Sequence, residues 1–197
     1  MKIIDYLKDW IKTLVTVSIV LLFLKLTGLL SSVSYVTQSA VLQTGLMNAG
    51  DEALVTSETF DYNFTIKDLD GNKFSFDQYK GKVVFINLWA TWCGPCRAEM
   101  KSIQKLYDKI DHEQVQFVML SIDKDVYRDK VISYVKDKRF TFPVYMPSGY
   151  LTSQLNVPSI PTTLVLSKDG KIVAKEVGMR DYDTSKFKKF LDQLVTE

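Results

Sequence analysis

Val83-Val84-Phe85-Ile86-Asn87-Leu88-Trp89-Ala90-Thr91-Trp92-Cys93-Gly94-Pro95-Cys96 decides how this chain is read. Residues 83–89 are apolar apart from Asn87, and such a run predicts a central strand buried on both faces. The only two cysteines in 197 residues follow it, separated by Gly94-Pro95. A chain that confines its sulfur to one closely spaced pair at a strand end is built for dithiol chemistry.

Beyond the pair, Met100, Ile103, Leu106, Tyr107 and Ile110 recur at helical spacing. Cys93 then stands at a helix N-terminus, where unpaired N–H groups and the helix dipole favour thiolate over thiol. Pro95 suits the first turn, where its missing N–H costs nothing. Cys96 lies one turn further in and is expected to be the more buried. Cys93 is therefore predicted to attack a substrate disulfide and Cys96 to resolve the mixed disulfide. Lowering a thiol pKa from about 8.5 to about 7 gains roughly 15-fold in thiolate at neutral pH. The lower basicity takes back about fivefold in nucleophilicity, so the larger benefit is a better leaving group. Other uses of the pair fit less well. A staple across so short a loop contributes only about 2 kcal/mol. Zinc needs further ligands and His112 is the sole histidine. Haem attachment needs histidine where Arg97 stands. Neither a metal nor a cofactor is expected.

Phe60, Tyr62, Phe64 and Ile66 alternate before Asp70-Gly71-Asn72, and Phe74 and Phe76 alternate after it, which predicts a hairpin. A strand over 115–121, a helix carrying Val131, Ile132, Tyr134 and Val135, and a short strand near 142–145 follow. A second hairpin turns at Lys168-Asp169-Gly170. Thr184 or Ser185 caps a closing helix with Phe187, Phe190, Leu191 and Leu194 on one face. This order predicts an α/β domain over 56–197 with a mixed sheet and helices on both faces.

The composition, 46% apolar and 24% charged, is that of a globular chain. The net charge of +2 resides in the first 30 residues, where Lys2, Lys8, Lys12 and Lys25 face Asp5 and Asp9. The neutral remainder offers no footprint for nucleic acid. Residues 10–30 are apolar except near their ends, and about 20 helical residues cross a bilayer. Trp10 suits an interfacial anchor, and the lysines before the segment, with no basic residue over 26–48, put residues 1–9 in the cytoplasm and the body outside. The segment reads as one transmembrane helix, an uncleaved signal anchor. The rival reading, a signal cleaved near Ser32-Val33-Ser34, exports the domain equally. Residues 31–55 read as a linker.

Trp89-Ala90-Thr91-Trp92-Cys93-Gly94-Pro95-Cys96-Arg97-Ala98-Glu99 resembles the thioredoxin fold. More narrowly, the chain resembles the membrane-anchored, extracytoplasmic TlpA/ResA-like thiol–disulfide oxidoreductases over about 60–197. The resemblance implies a thioredoxin fold with an N-terminal β-hairpin extension and a central insertion, matched here by 123–147. It also implies that Pro161, in Val157-Pro158-Ser159-Ile160-Pro161-Thr162-Thr163, is cis and faces the dithiol, and that the Ile160 backbone pairs with extended substrate. Trp92, Gly94, Pro95, Ile160 and Pro161 are the expected substrate-binding surface, with Trp89 and Trp92 packed around the site and Trp92 over the sulfur. Cytosolic thioredoxins carry a buried aspartate where Asn87 stands. TlpA/ResA-like proteins use a glutamate three residues past the second cysteine, which Glu99 matches, so Glu99 is expected to aid proton transfer at Cys96. The competing reading makes Glu99 a solvated helix residue. The function implied is reduction of protein disulfides outside the cytoplasm, in pathways such as cytochrome c maturation, fed by a transmembrane electron donor. The alternatives are a thiol peroxidase or a non-catalytic binding module on the same fold.

Overall fold

The computed structural model describes residues 2–26 (side chains over 8–23), 37–38, 40–42, 44–45, 47–50 and 58–197. Helix α1 is Lys2–Leu26. Among the described residues no helix is long and apolar enough to cross a membrane. The far end of the expected apolar segment, the rival cleavage site and most of the expected linker lie outside the described residues.

Seven strands form one sheet: β1 (Thr65–Asp68), β2 (Lys73–Ser75), β3 (Val83–Trp89), β4 (Val115–Ser121), β5 (Val144–Pro147), β6 (Thr162–Leu166) and β7 (Ile172–Val177). Their order is β2-β1-β5-β4-β3-β6-β7. β3 pairs parallel with β4 and antiparallel with β6, and every residue of it is buried. The expected strand and hairpins are therefore present. The first hairpin docks far from β3, its β1 antiparallel to β5.

Helices α2 (Gly94–Tyr107), α3 (Arg128–Lys138) and α4 (Ser185–Thr196) correct one expectation: all three cover the same face of the sheet. Met100, Ile103, Leu106, Val131, Phe187, Leu191 and Leu194 join Val83, Phe85 and Trp89 in one core. The steps from β3 to β4 and from β4 to β5 move in one direction along the sheet. Right-handed crossovers in one direction place both helices on one side. Val84, Ile86 and Leu88 point the other way, into a core of Phe60, Tyr62, Phe64, Phe76, Tyr79 and Leu155.

That second core revises the first hairpin. Phe60, Tyr62 and Phe64 alternate inward as a strand would, yet ladder pairing begins only at Thr65. Their backbone is held instead by turns and single bonds, Phe64 N–H to the Tyr62 carbonyl and Phe60 N–H to the Gly170 carbonyl at 2.8 Å each. Phe64 and Phe76 stack at 4.4 Å between centroids, and Phe60 meets Tyr62 edge-on at 5.2 Å. Burial of rings, rather than a ladder, sets the period of two here.

Part of the expected linker is docked. Ala49 N–H donates to the Asp181 carbonyl at 2.9 Å and Asp181 N–H to the Met47 carbonyl at 2.8 Å. Leu42 and Met47 pack on Ala98 and Met179.

Gly170 turns the second hairpin with φ +78°, and a Cβ there would meet the Tyr62 ring at 3.3 Å. Gly170→Ala is expected to destabilise the domain by about 1–2 kcal/mol, the cost of a left-handed non-glycine residue. Urea unfolding checks this, and an unchanged midpoint would show that the turn relaxes freely.

Candidate active site

α2 begins where β3 ends, so the chain turns sharply at the cysteines. Cys93 is the N-cap and its sulfur accepts the Cys96 N–H at 3.2 Å, with Pro95 in the first turn. This is the anion-favouring end of the helix that the spacing predicts. Cys93 and Cys96 are joined as a disulfide. Cys93 retains 5% of its surface and Cys96 none. Any incoming group therefore meets Cys93 first.

The loop before the pair is anchored from β4. The Asp123 carboxylate accepts the Thr91 N–H at 2.8 Å and the Thr91 hydroxyl at 2.7 Å. It also accepts the Ser121 hydroxyl at 2.8 Å. Sequence reasoning missed Asp123; its place just past a buried strand, next to the loop, was the available signal.

β6 runs antiparallel to β3, with Leu88 opposite Thr162. The residues before Thr162 therefore arrive beside the cysteines. The Ile160–Pro161 bond is cis, and the Ile160 carbonyl oxygen lies 3.8 Å from Cys93 Sγ. Gly94 and Pro95 open α2 between the two cysteines. Trp92 is more open than expected. Trp89 is wholly buried beside Tyr134, whereas Trp92 is 67% exposed. Trp92 follows Thr91 in the loop held by Asp123 and directly precedes Cys93.

Cys96, Glu99, Met100, Ile103 and Leu106 form the buried face of α2. Glu99 is fully buried, so it is no solvated helix residue. Its Oε1 accepts the Asn87 amide at 2.8 Å and its Oε2 the Arg180 N–H at 3.0 Å. Removal from water pushes the carboxyl up to about 8, against the opposing pull of Arg180 and Asn87. Asn87 is there because alternation along β3 points it to the helix face with Phe85 and Trp89. Its Nδ2 also donates to Thr163 Oγ1 at 2.9 Å, and the Tyr182 hydroxyl lies 2.7 Å from that oxygen. Glu176, also buried, is paired with Arg180 Nε at 3.1 Å and accepts the Gly50 N–H at 2.6 Å. Glu176, Arg180 and Tyr182 carry no local motif, and Thr163 stands in the stretch around Pro161 with nothing to mark its hydroxyl, so sequence reasoning did not find them.

Comparisons with known proteins agree with this geometry. A family model described as Redoxin matches residues 50–193. Over 117 residues the chain is 38% identical to the thiol-disulfide oxidoreductase ResA of Bacillus cereus, covering 59% of this chain and 66% of that protein. The chain thus spans just under two thirds of that relative's length. A crystal structure of a thiol:disulfide interchange protein of the thioredoxin family from Chlorobium tepidum matches with a TM-score of 0.55 at 25% identity, over 73% of this chain and 99% of that one. StoA from Bacillus subtilis matches with a TM-score of 0.52, over 73% of this chain and 100% of that one. Its 24% identity carries the fold alone.

The raised Glu99 carboxyl has a consequence for stability. Between about pH 5 and about pH 8 the folded chain keeps a proton that the unfolded chain has released, so stability falls as pH rises. The slope from this group approaches about 1.4 kcal/mol per pH unit. Glu99→Gln is expected to remove that slope in urea unfolding of the disulfide form. An identical slope in the variant would assign it to other groups.

Proposed function

This chain belongs to the Redoxin family, and from that premise we propose that it is a membrane-tethered, extracytoplasmic thiol–disulfide oxidoreductase that reduces protein disulfides. The observation that carries the reading is the placement of Cys93, with its sulfur on the α2 N-terminus and beside the Ile160 carbonyl.

In the dithiol form the Cys93 thiolate attacks one sulfur of a substrate disulfide. A Cys93–substrate S–S bond forms, and the other substrate sulfur leaves as thiolate. Cys96 gives up its proton and attacks Cys93 Sγ; the Cys93–Cys96 bond forms and the first substrate sulfur leaves. Two electrons end on the substrate, whose two thiolates take their protons from solvent. Ionised Glu99, one helical turn from Cys96, is the group proposed to take the Cys96 proton. The exposed backbone at Ile160, next to Pro161, is proposed to pair with an extended substrate segment, with Trp92, Gly94 and Pro95 as its other contacts.

The reducing direction rests on Gly94-Pro95 between the cysteines and Ile160 before Pro161. Membrane tethering rests on α1. Its described side chains over 8–23 are all exposed, with apolar residues on every side. The Thr13 and Thr16 hydroxyls donate back to the Asp9 and Lys12 carbonyls at 2.9 Å, the arrangement that satisfies hydroxyls without water. Lys2, Lys8 and Lys12, in its N-terminal half, orient residues 1–9 to the cytoplasm and the domain outside. Outside, the dithiol needs a transmembrane electron donor for its return to the reduced state. Cytochrome c maturation is the pathway proposed for it.

Insulin reduction by the full chain with dithiothreitol is expected to fall to background in Cys93→Ser. Cys96→Ser is expected to accumulate mixed disulfides on Cys93, identifiable by mass spectrometry. Full activity in Cys93→Ser would overturn the reading. A reduction potential near about −120 mV, that of a strong periplasmic oxidant, would reverse the direction.

A further inference from the structure

Glu99, Asn87, Thr163 and Tyr182 form a continuous buried row. Glu99 Oε1 is 2.8 Å from Asn87 Nδ2, which is 2.9 Å from Thr163 Oγ1, which is 2.7 Å from the Tyr182 hydroxyl. None is more than 1% exposed. With Glu99 ionised, the Asn87 amide donates in both directions, to the carboxylate and to Thr163. Two things are then left over. Asn87 Oδ1 is buried and has no hydrogen-bond partner among the described residues. The carboxyl also cannot gain a proton without loss, because both its oxygens already face donors, Asn87 and Arg180.

Turning the Asn87 amide by half a rotation resolves the second conflict. Oδ1 then occupies the position between Glu99 and Thr163 and, with two lone pairs, accepts an O–H from each. Tyr182 donates to Thr163 Oγ1, and each O–H hydrogen in the row has an acceptor. The row therefore has two arrangements, one for each protonation state of Glu99, that differ in the direction of the bonds at Asn87, while Tyr182 donates to Thr163 in both. The turned amide exchanges the unpartnered Oδ1 for N–H groups and in return gives the Glu99 and Thr163 hydrogens an acceptor. Only an amide permits this. An aspartate at 87 would set a second carboxylate against Glu99, and the two would share one proton. An apolar residue would leave Glu99 Oε1 without its partner.

We propose that Asn87 is a positioning residue that holds Glu99 in one place through gain and loss of its proton by turning its side-chain amide, with the Thr163 hydroxyl following it and Tyr182 holding Thr163 in place. Its use in disulfide exchange rests on the reading above; the reversal itself does not. The charged groups that face Glu99 are Arg180, through its backbone N–H and guanidinium, and Glu176 on β7. Tyr182 is the other titratable side chain against it, and burial holds its phenol well above the ordinary value. Arg180 can only donate, the Glu176 carboxylate only accepts, and the Tyr182 hydroxyl bonds Thr163 rather than Glu99.

The test uses the full chain in its disulfide form, with no substrate, so failure of the reversal is separate from failure of the exchange reaction. Carboxyl 13C NMR follows Glu99, identified by loss of its signal in Glu99→Gln. Side-chain 15N–1H signals follow Asn87. The Asn87 amide signals are expected to shift with the same midpoint as the Glu99 carboxyl. In Asn87→Leu the carboxylate loses a charge-assisted bond and the neutral acid a weaker one, so the Glu99 midpoint is expected to rise by about one unit. Amide signals that stay fixed through the Glu99 titration in the parent chain would overturn the proposal. So would a Glu99 midpoint unchanged in a folded Asn87→Leu. A merely structural Asn87 would lower the melting temperature and leave the midpoint where it was.

Discussion

The site depends on β3 being closed to water from both sides. Val83, Phe85 and Trp89 meet α2, α3 and α4, while Val84, Ile86 and Leu88 meet the aromatic core built from Phe60 to Tyr79. A strand held this way ends at one defined point. Two consequences converge on that point. α2 starts there, bringing its unpaired N–H groups to Cys93. β6, antiparallel to β3, starts there too, bringing the Ile160 carbonyl.

Burying acids beneath the disulfide is the costly part of this design. An ionised carboxylate in such surroundings is strongly penalised unless donors replace its water. Glu99 and Glu176 meet that demand differently. Glu176 has the Arg180 guanidinium and the Gly50 N–H. Glu99 has no cation of its own, only an amide and a backbone N–H, and its carboxyl is shifted toward the neutral acid. Arg180 touches both, by backbone to one and by side chain to the other. The loop over 178–182 is in turn clamped by 47–50 through Asp181 and Glu176. The segment that precedes the domain in the chain is thus mechanically part of the floor beneath the disulfide.

The exposed apolar side chains of the sheet domain show a related asymmetry. Trp92, Ile122, Val126, Tyr127 and Tyr150 all lie in the loops after β3, β4 and β5, the end at which the disulfide sits. Val177, opposite Thr162 in the β6–β7 pair, is exposed as well. The edge strand β2 is only three residues long, and β7 is met at its start by Thr59, so neither edge presents a long bare ladder.

Local rules were enough for a large share of this protein. The run over 83–89 read as a doubly buried strand because its apolar residues leave no face for water, and Cys93, Pro95 and Cys96 read as a helix start because capping is decided within one turn. Thr184 was legible as a cap, and both hairpins from their turn residues, for the same local reason. Ile160-Pro161 and Glu99 were legible only through family resemblance. The sequence alone could not say that all three helices share a face, which depends on the direction taken by successive crossovers. Nor could it show that Phe60, Tyr62 and Phe64 alternate without pairing, that Trp92 is largely exposed, or that 47–50 is docked. Least legible was the company of Glu99. Asn87, Thr163, Arg180 and Tyr182 are scattered over nearly a hundred residues and meet only because β3, β6 and the loop after β7 share one face. The chain by itself determined a dithiol on a helix end after a buried strand; the tertiary structure alone decided the partners of the carboxyl beneath it, because water is excluded there by elements distant in sequence.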